Sequence, residues 1–512
     1  MTGEKPNLNP VELELARNRL EGIAEEVGSV LISTAYSPNI KERHDCSAAL
    51  FDSDARCVAQ AAHIPVHLGA MPASVEATAR LEPDEGDVVA VNDPFAGGTH
   101  LPDLTLVSPI FVDDGHVGYV ATRAHHADIG GTAPGSMPAD SRTVHDEGLR
   151  IPPVRLVESG EMNEGVLDIF LANVRGEGER RADLRAQMSA NERGVERLSS
   201  YVEDNGARAF GALIEYAERR TREEIDALPD GTYEATEFMD GGQRVSVTVK
   251  IDGGEMIVDF AGTSEQDDTN LNAPRAVTES AVAFVVRCVI SDDVPPNSGS
   301  LAPVEVKIPS GSLLDPAPPA AVAGGNVETS QLVVDAVVEA LRGAAEVPAQ
   351  GQGTMNSVTV GNDSFSYYET VGGGAGASAE RDGTDGVHVG MTNTLNTPVE
   401  ALEREYPLRV EEYALREGSG GDGEHKGGDG IVRSFVVLED SSVSFLTDRR
   451  KTAPKGAEGG ENGEMGENLV DGEKVGGRAV AEVDAGTRVE VRTPGGGGYG
   501  ESNDNGDSGR ES

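Results

Sequence analysis

The chain has 512 residues and a formal net charge of −46, from 88 acidic against 42 basic side chains. A field of that size repels nucleic acid and anionic membranes, which excludes both as general partners. Hydrophobic residues make up 38% and Trp is absent. That is lean but sufficient for a folded protein, and the length exceeds one compact core, so two or three domains are expected.

The acids are spread along the whole chain, and Arg greatly outnumbers Lys. Such an even acidic surface reads as adaptation to high salt, where the screening length falls to about 3 Å at 1 M. Three cysteines (Cys46, Cys57, Cys288) form no disulfide framework, which fits a reducing cytoplasm. Met1 to Pro10 shows no apolar signal-peptide core, and no apolar run reaches the ~18 residues of a membrane span.

In chain order, Asn9-Pro10-Val11-Glu12 reads as a capped helix start with a capping box, followed by apolar residues at helical spacing from Leu13 to Leu31. Ser47–Phe51 and Val58–Ala61 read as short strands around Asp52-Ser53-Asp54, and Gly69–Leu81 as a helix. Val88–Val91 is a buried strand running into a glycine loop. Leu104 to Phe111 and Val117–Ala121 read as a hairpin about Asp113-Asp114-Gly115. Leu167–Asn173, Leu184–Leu198 and Ala207–Leu228 look helical. From Gly231 to Thr263 apolar and polar residues alternate, as antiparallel strands do, and Ala276–Ile290 and Gln331–Leu341 are apolar helices. From about Val371 the chain is rich in glycine and turns, with short strands at Val432–Val437 and Arg488–Arg492. The expected fold class is mixed α/β (α+β), multi-domain, with antiparallel and mixed sheets packed by helices. The expected divisions are an N-terminal domain over 1–230 carrying the site loops, a middle α+β domain over 231–370, a Gly-rich β-rich region over 371–500, and a disordered acidic tail over 501–512.

The chemistry concentrates in two loops. Asn92-Asp93-Pro94-Phe95-Ala96-Gly97-Gly98-Thr99-His100-Leu101-Pro102-Asp103 follows one strand, and Ala124-His125-His126-Ala127-Asp128-Ile129-Gly130-Gly131 follows another. Imidazole and carboxylate together hold Zn, Mn, Fe or Co. His100 and Asp103 lie three residues apart, and the intervening hairpin would return His125 close to His100. The same residues would serve equally as polar caps around glycine turns.

Other chemistries find less support. The sequence has no G-x-x-x-x-G-K-[ST] phosphate loop and no G-x-S-x-G elbow. Gly418 to Gly423 spells GxGxxG but opens onto more glycine rather than a helix, so a turn is the better reading. Cys46, after His44 and Asp45, reads as a small buried hydrophobe sooner than a nucleophile. His63 and His67 have metal spacing for a helix, but Pro65 argues against one. They line the same pocket or bond loop backbone. Arg150 would face an anionic substrate or an internal carboxylate. His145 is a second-tier candidate, and His388 and His425 read as structural.

With these segments in hand, the chain resembles the hydantoinase B/oxoprolinase family. The resemblance rests on Thr34 to Arg43, His63 to Gly69, the Asn92 to Asp103 loop, His125 to Gly131, Glu147 to Pro153, Gly325-Asn326-Val327-Glu328-Thr329-Ser330, Met391 to Pro398 and Thr493 to Gly500. It implies a divalent metal held by His100, Asp103 and His125. It also implies a partner, a hydantoinase A-type subunit that carries ATP and phosphorylates the substrate carbonyl, while this chain handles the activated intermediate. In the loop Glu424-His425-Lys426-Gly427-Gly428 an arginine is expected where Lys426 stands, and lysine lacks the bidentate fork.

The expected activity is ATP-dependent opening of a cyclic amide, a hydantoin, N-methylhydantoin or 5-oxoproline. The chain would be the catalytic component of a cytoplasmic hetero-oligomer. Asp128 or His126 would orient a ligand or act as base, and Asn92, Asp93, His67, His145 and Arg150 would contact substrate. A component of an acetone-type carboxylase, using the same metal, is the competing enzyme reading. A non-catalytic scaffold for the A-type subunit is the competing reading of another class.

The charge itself generates a prediction. Between roughly 0.1 M and 2 M monovalent salt the screening length shrinks from about 10 Å to below about 3 Å, so the melting temperature is expected to rise steeply across that range. Two chloride salts at equal ionic strength should give equal melting temperatures if screening alone acts. A flat or falling curve would show that the charge is no salt adaptation.

Overall fold

The computed structural model describes residues 8–502, except 63, 68 and 292. His63 and residues 503–512 of the expected acidic tail therefore lie outside the described residues.

The first helix, Pro10–Thr34, begins as its sequence dictates. The Asn9 side chain accepts from Val11 N and Glu12 N, and Glu12 reaches back to Asn9 N, which satisfies donors that a helix start leaves open. Ala16, Leu20, Ala24, Val27 and Leu31 form its buried stripe. It packs on a seven-stranded antiparallel sheet built from β1 (Cys46–Asp52), β2 (Cys57–Ala62), β3 (Val88–Val91), β4 (Asp103–Val112), β5 (Gly115–His125), β6 (Val154–Glu158) and β7 (Glu161–Met162), in the order β2-β1-β5-β4-β3-β6-β7.

Both faces of this sheet are covered, so its central strands are buried throughout. Helices Pro10–Thr34 and Glu177–Asn205 cover one face over Cys46, Ala48, Leu50, Val120 and Ala124. Helix Met71–Ala79 covers the other over Ala49, Phe51, Val107, Tyr119 and Ala121. Alternation along each strand thus decides which environment a side chain meets. The β4–β5 hairpin turns through Asp113 and Asp114, both at positive φ (50° and 62°). That is the two-residue turn whose twist suits a hairpin.

The middle of the chain follows its alternating pattern. Strands Gly231–Phe238, Arg244–Asp252 and Glu255–Asp259 are antiparallel, and Val304–Lys307 adds to the last in parallel. Val245, Val247, Val249 and Ile251 enter a core shared with helices Arg275–Val289 and Ser330–Leu341. A single π-turn, Gly325–Thr329, runs directly into helix Ser330–Leu341.

Two further sheets share one core. The first orders Ser366–Glu369, Ser357–Gly361, Ser441–Leu446 and Arg478–Val483. The second orders Leu408–Arg416, Gly430–Val437, Arg488–Arg492, Glu467–Val470 and Glu473–Val475. Strand pairing therefore runs across residue 371. The architecture is mixed α/β, with antiparallel and mixed sheets and packed helices. No helix among the described residues is long and apolar enough to cross a membrane.

The glycine runs pack backbone against backbone. Gly421 N donates to Gly496 O, Gly496 N to Gly428 O, Gly428 N to Ala375 O and Gly497 N to Gln350 O. A Cβ on Gly496 would overlap Ala375 O, and one on Gly427 would overlap Gly496 O. Only glycine fits such crowding, as at the axis of a collagen triple helix. This explains why Gly418 to Gly423 opens no helix: Gly420 and Gly421 sit inside the bundle. Gly496→Ala is expected to lower stability by about 3 kcal/mol or more. Gly22→Ala, in a helix with open space around it, should raise it by roughly 0.5–1 kcal/mol. Melting curves of both variants check the pair, and a neutral Gly496→Ala would contradict the packing argument.

Candidate metal centre

The β4–β5 register sets the site. Asp103 is the first residue of β4 and pairs with His125, the last of β5. His100 is drawn in by a tight turn in which Asp103 N donates to His100 O at 3.1 Å. Gly97, at φ 89°, lies so close to Ala73 that a Cβ there would overlap its backbone, so only glycine lets the preceding loop pass.

Three donor atoms converge. Asp103 Oδ1 lies 3.0 Å from His100 Nε2 and 3.3 Å from His125 Nδ1, and the two nitrogens are 3.2 Å apart. A four-coordinate ion bonded to nitrogen at about 2.0–2.1 Å requires ligand–ligand edges of roughly 3.3–3.4 Å. The triangle is thus near the size such an ion needs, and all three side chains are buried. Burial alone would raise the Asp103 carboxyl, but the His100 imidazole, with the His125 and His67 imidazoles beside it, holds it well below the usual carboxylate range. An ionised carboxylate between two imidazoles is a hard–borderline donor set suited to a divalent metal.

The wall comes from distant sequence. Tyr368, on strand Ser366–Glu369, stacks on His125 with ring centroids 4.9 Å apart and planes at 13°. Arg43 lies 5.2 Å from the Tyr368 ring and donates to Tyr368 O, Thr370 Oγ1 and Thr394 Oγ1. Asp45 lies opposite His125, whose N donates to Asp45 O. Burial, with smaller contributions from the Asp45 and Asp103 carboxylates, pushes the Tyr368 hydroxyl pKa up. Cys46 itself is fully buried, and burial pushes its thiol pKa up, away from nucleophilic use.

The remaining candidates separate. His126 follows His125 on the chain and so points to the opposite face. Its Nε2 meets Gln187 Oε1 at 2.9 Å, and burial drives its pKa down to about 4. Asp128 accepts from Gly130 N, Gly135 N and Arg175 N and pairs with Arg175 at 3.1 Å, which anchors the glycine loop. Neither joins the triangle. Asn92 ties its own loop to the Leu149–Ile151 segment, donating to Leu101 O and Leu149 O and accepting from Ile151 N. Asp93 caps Phe95 N and pairs with Arg150 at 2.8 Å, so Arg150 faces an internal carboxylate. Arg150 and the exposed His145 line a surface cleft of ≈ 460 Å³ with Gly131, Gly148, Leu149 and Asn173. His67 lies at the cluster, 3.4 Å from Asp103 Oδ2. Glu147, buried at the edge of the same loops, accepts from Ser141 Oγ, Val322 N and Ala323 N, tying them to the middle of the chain.

The profile of the Hydantoinase B/oxoprolinase family matches residues 9–502. The 5-oxoprolinase 1 of Arabidopsis thaliana is 42% identical over 530 residues, which cover 96% of this chain and 42% of that protein. The chain therefore spans less than half the length of that relative. A protein of Pseudomonas sp. (strain NS671), named as the B-type subunit of a D-/L-hydantoinase, is 31% identical, with 96% of this chain and 90% of that protein covered. Among solved structures, an ATP-dependent caprolactamase from Pseudomonas jessenii matches with a TM-score of 0.90 at 28% identity, covering 97% of this chain and 92% of that one.

The triangle predicts that the purified chain holds close to one divalent metal. His100→Ala and His125→Ala are each expected to abolish that content while leaving the far-ultraviolet circular dichroism unchanged. Full metal retention in both variants would remove the assignment.

Proposed function

The chain belongs to the hydantoinase B/oxoprolinase family, and from that premise we propose that it is the metal-bearing catalytic component of an ATP-dependent cyclic amidase. Its substrate would be a hydantoin or 5-oxoproline, its partner a separate A-type subunit that binds ATP. The observation that carries this reading is the convergence of Asp103 Oδ1, His100 Nε2 and His125 Nδ1, all on buried side chains. Two features support the division of labour. A relative of nearly the same length is named as one component of a hydantoinase and not as the whole enzyme, and the sequence carries no phosphate loop.

When bound, a divalent ion supplies Lewis-acid polarisation of a carbonyl oxygen or a bound water of lowered pKa. The chain's own groups do the rest. Asp103 stays ionised and presents one oxygen to the cluster, and the imidazoles present one nitrogen each. Tyr368 closes the His125 side with its ring and fixes that imidazole by stacking. The buried setting excludes bulk water, so charge interactions at the reacting carbonyl are stronger than in solvent. Asp128 and His126, held by Arg175 and Gln187, keep the loop in shape in this reading.

The test uses the co-purified complex with an A-type subunit. ATP with 5-oxoproline or hydantoin is expected to give the ring-opened product with matching ATP hydrolysis. His100→Ala should abolish product, and the isolated chain should hydrolyse no ATP. An active His100→Ala complex, or robust ATPase activity from the homogeneous isolated chain, would refute the reading.

A further inference from the structure

The outer contacts of the cluster are unevenly distributed. A metal-bound histidine commonly has its second nitrogen held by a hydrogen bond, yet His100 Nδ1 and His125 Nε2 have no hydrogen-bond partner among the described residues. The carboxylate is treated differently. Its Oδ1 faces the imidazoles, while Oδ2 accepts from Thr99 Oγ1 at 2.6 Å and lies 3.4 Å from His67 Nε2. His67 is 1% exposed, and its Nδ1 lies 2.9 Å from Ser47 Oγ.

The contact joins the sheet to the 3₁₀ turn before its covering helix. Ser47 sits on β1 opposite Arg123 of β5, two pairing steps from the His125–Asp103 row and so on the same face of the sheet. His67 ends the 3₁₀ turn Pro65–His67 that leads into helix Met71–Ala79. The sheet and the helix covering it therefore meet at Ser47 and His67, beside Asp103. The tautomer follows from charge. If Nδ1 carried the proton, the Nε2 lone pair would face an ionised carboxylate oxygen and repel it. With Ser47 O–H donating to Nδ1, the Nε2–H faces Oδ2 and attracts it. At 3.4 Å the separation is long for a hydrogen bond, and His67 Nε2 makes none among the described residues, so the contact is electrostatic, and it is strengthened by burial.

We propose that His67, oriented by Ser47, is a positioning residue for the metal carboxylate: together with Thr99 it engages Asp103 Oδ2, so that Oδ1 alone is offered to the ion. The contact thus fixes one-oxygen binding at Asp103 and does for the carboxylate what outer partners usually do for imidazole. This replaces the expected role of His67 as a substrate contact, and it rests on the cluster being a metal site.

The test is Co²⁺ binding by the full chain, read as affinity, release rate and visible absorption spectrum. His67→Phe keeps an aromatic ring but removes the N–H. It is expected to weaken Co²⁺ binding by about 10–100-fold, to speed release and to alter the spectrum. His67→Gln returns an N–H toward Oδ2 and should recover most of the affinity, and Ser47→Ala should give a smaller loss than His67→Phe. If His67→Phe does not fold by circular dichroism, the ordering of wild type, His67→Gln and Ser47→Ala decides. Co²⁺ binding that is lost in His100→Ala but unchanged in His67→Phe and Ser47→Ala overturns the positioning role while leaving the metal site standing. Absence of Co²⁺ binding that depends on His100 overturns the metal reading and the proposal together. A loss beyond about 1,000-fold, far above the usual outer-contact range, that His67→Gln fails to rescue would make His67 a ligand and overturn the positioning role.

Discussion

The site depends on one register. Asp103 faces His125 because β4 and β5 pair antiparallel about a two-residue turn at Asp113 and Asp114. Side chains alternate along a strand, so a shift of one residue would carry His125 to the face under helices Pro10–Thr34 and Glu177–Asn205 and bring His126 to the cluster. That alternative is disfavoured on the opposite side, where Ala124 and Val120 fill the core under helix Pro10–Thr34. The hydrophobic pattern of the hairpin thus decides which of two adjacent histidines meets the carboxylate. His100 needs no strand of its own, since a three-residue turn delivers it.

Placing these groups in the interior is costly unless each charge finds a partner. Asp103 is surrounded by three imidazoles and a hydroxyl. Asp128 is surrounded by backbone N–H groups and Arg175, and Asp93 by Arg150 and a cap. The loops that look alike in sequence therefore divide into one carboxylate aimed at the cluster and two that hold the loops. Residues far along the chain then complete the enclosure. Tyr368 stacks on His125, and Thr370 accepts from Arg43, which lies over the Tyr368 ring.

Much of this was legible in the sequence. The capping box at Asn9, the hairpin about Asp113 and the apolar rows of Val245 to Ile251 each follow from local rules, and local rules held. The convergence of His100, Asp103 and His125 was legible because strand pairing is itself local there. Three things were not. The direction of His126 depends on which face of the sheet is aliphatic, which the loop motif does not encode. The stacking of Tyr368 on His125 joins residues that only the tertiary fold brings together. The internal engagement of Asn92, Asp93 and Asp128 depends on Ile151, Arg150 and Arg175, and a polar side chain beside a glycine turn gives the same sequence signal whether it faces substrate or backbone.

Anomalous diffraction at the absorption edge of the metal carried by the purified chain tests the central claim most directly. A single strong peak within about 2.0–2.3 Å of His100 Nε2, Asp103 Oδ1 and His125 Nδ1 is the predicted result, from the usual metal–nitrogen and metal–oxygen distances. A peak elsewhere with the three side chains still in mutual contact would contradict the account, since the triangle would then be a hydrogen-bonded polar cluster and not a metal centre.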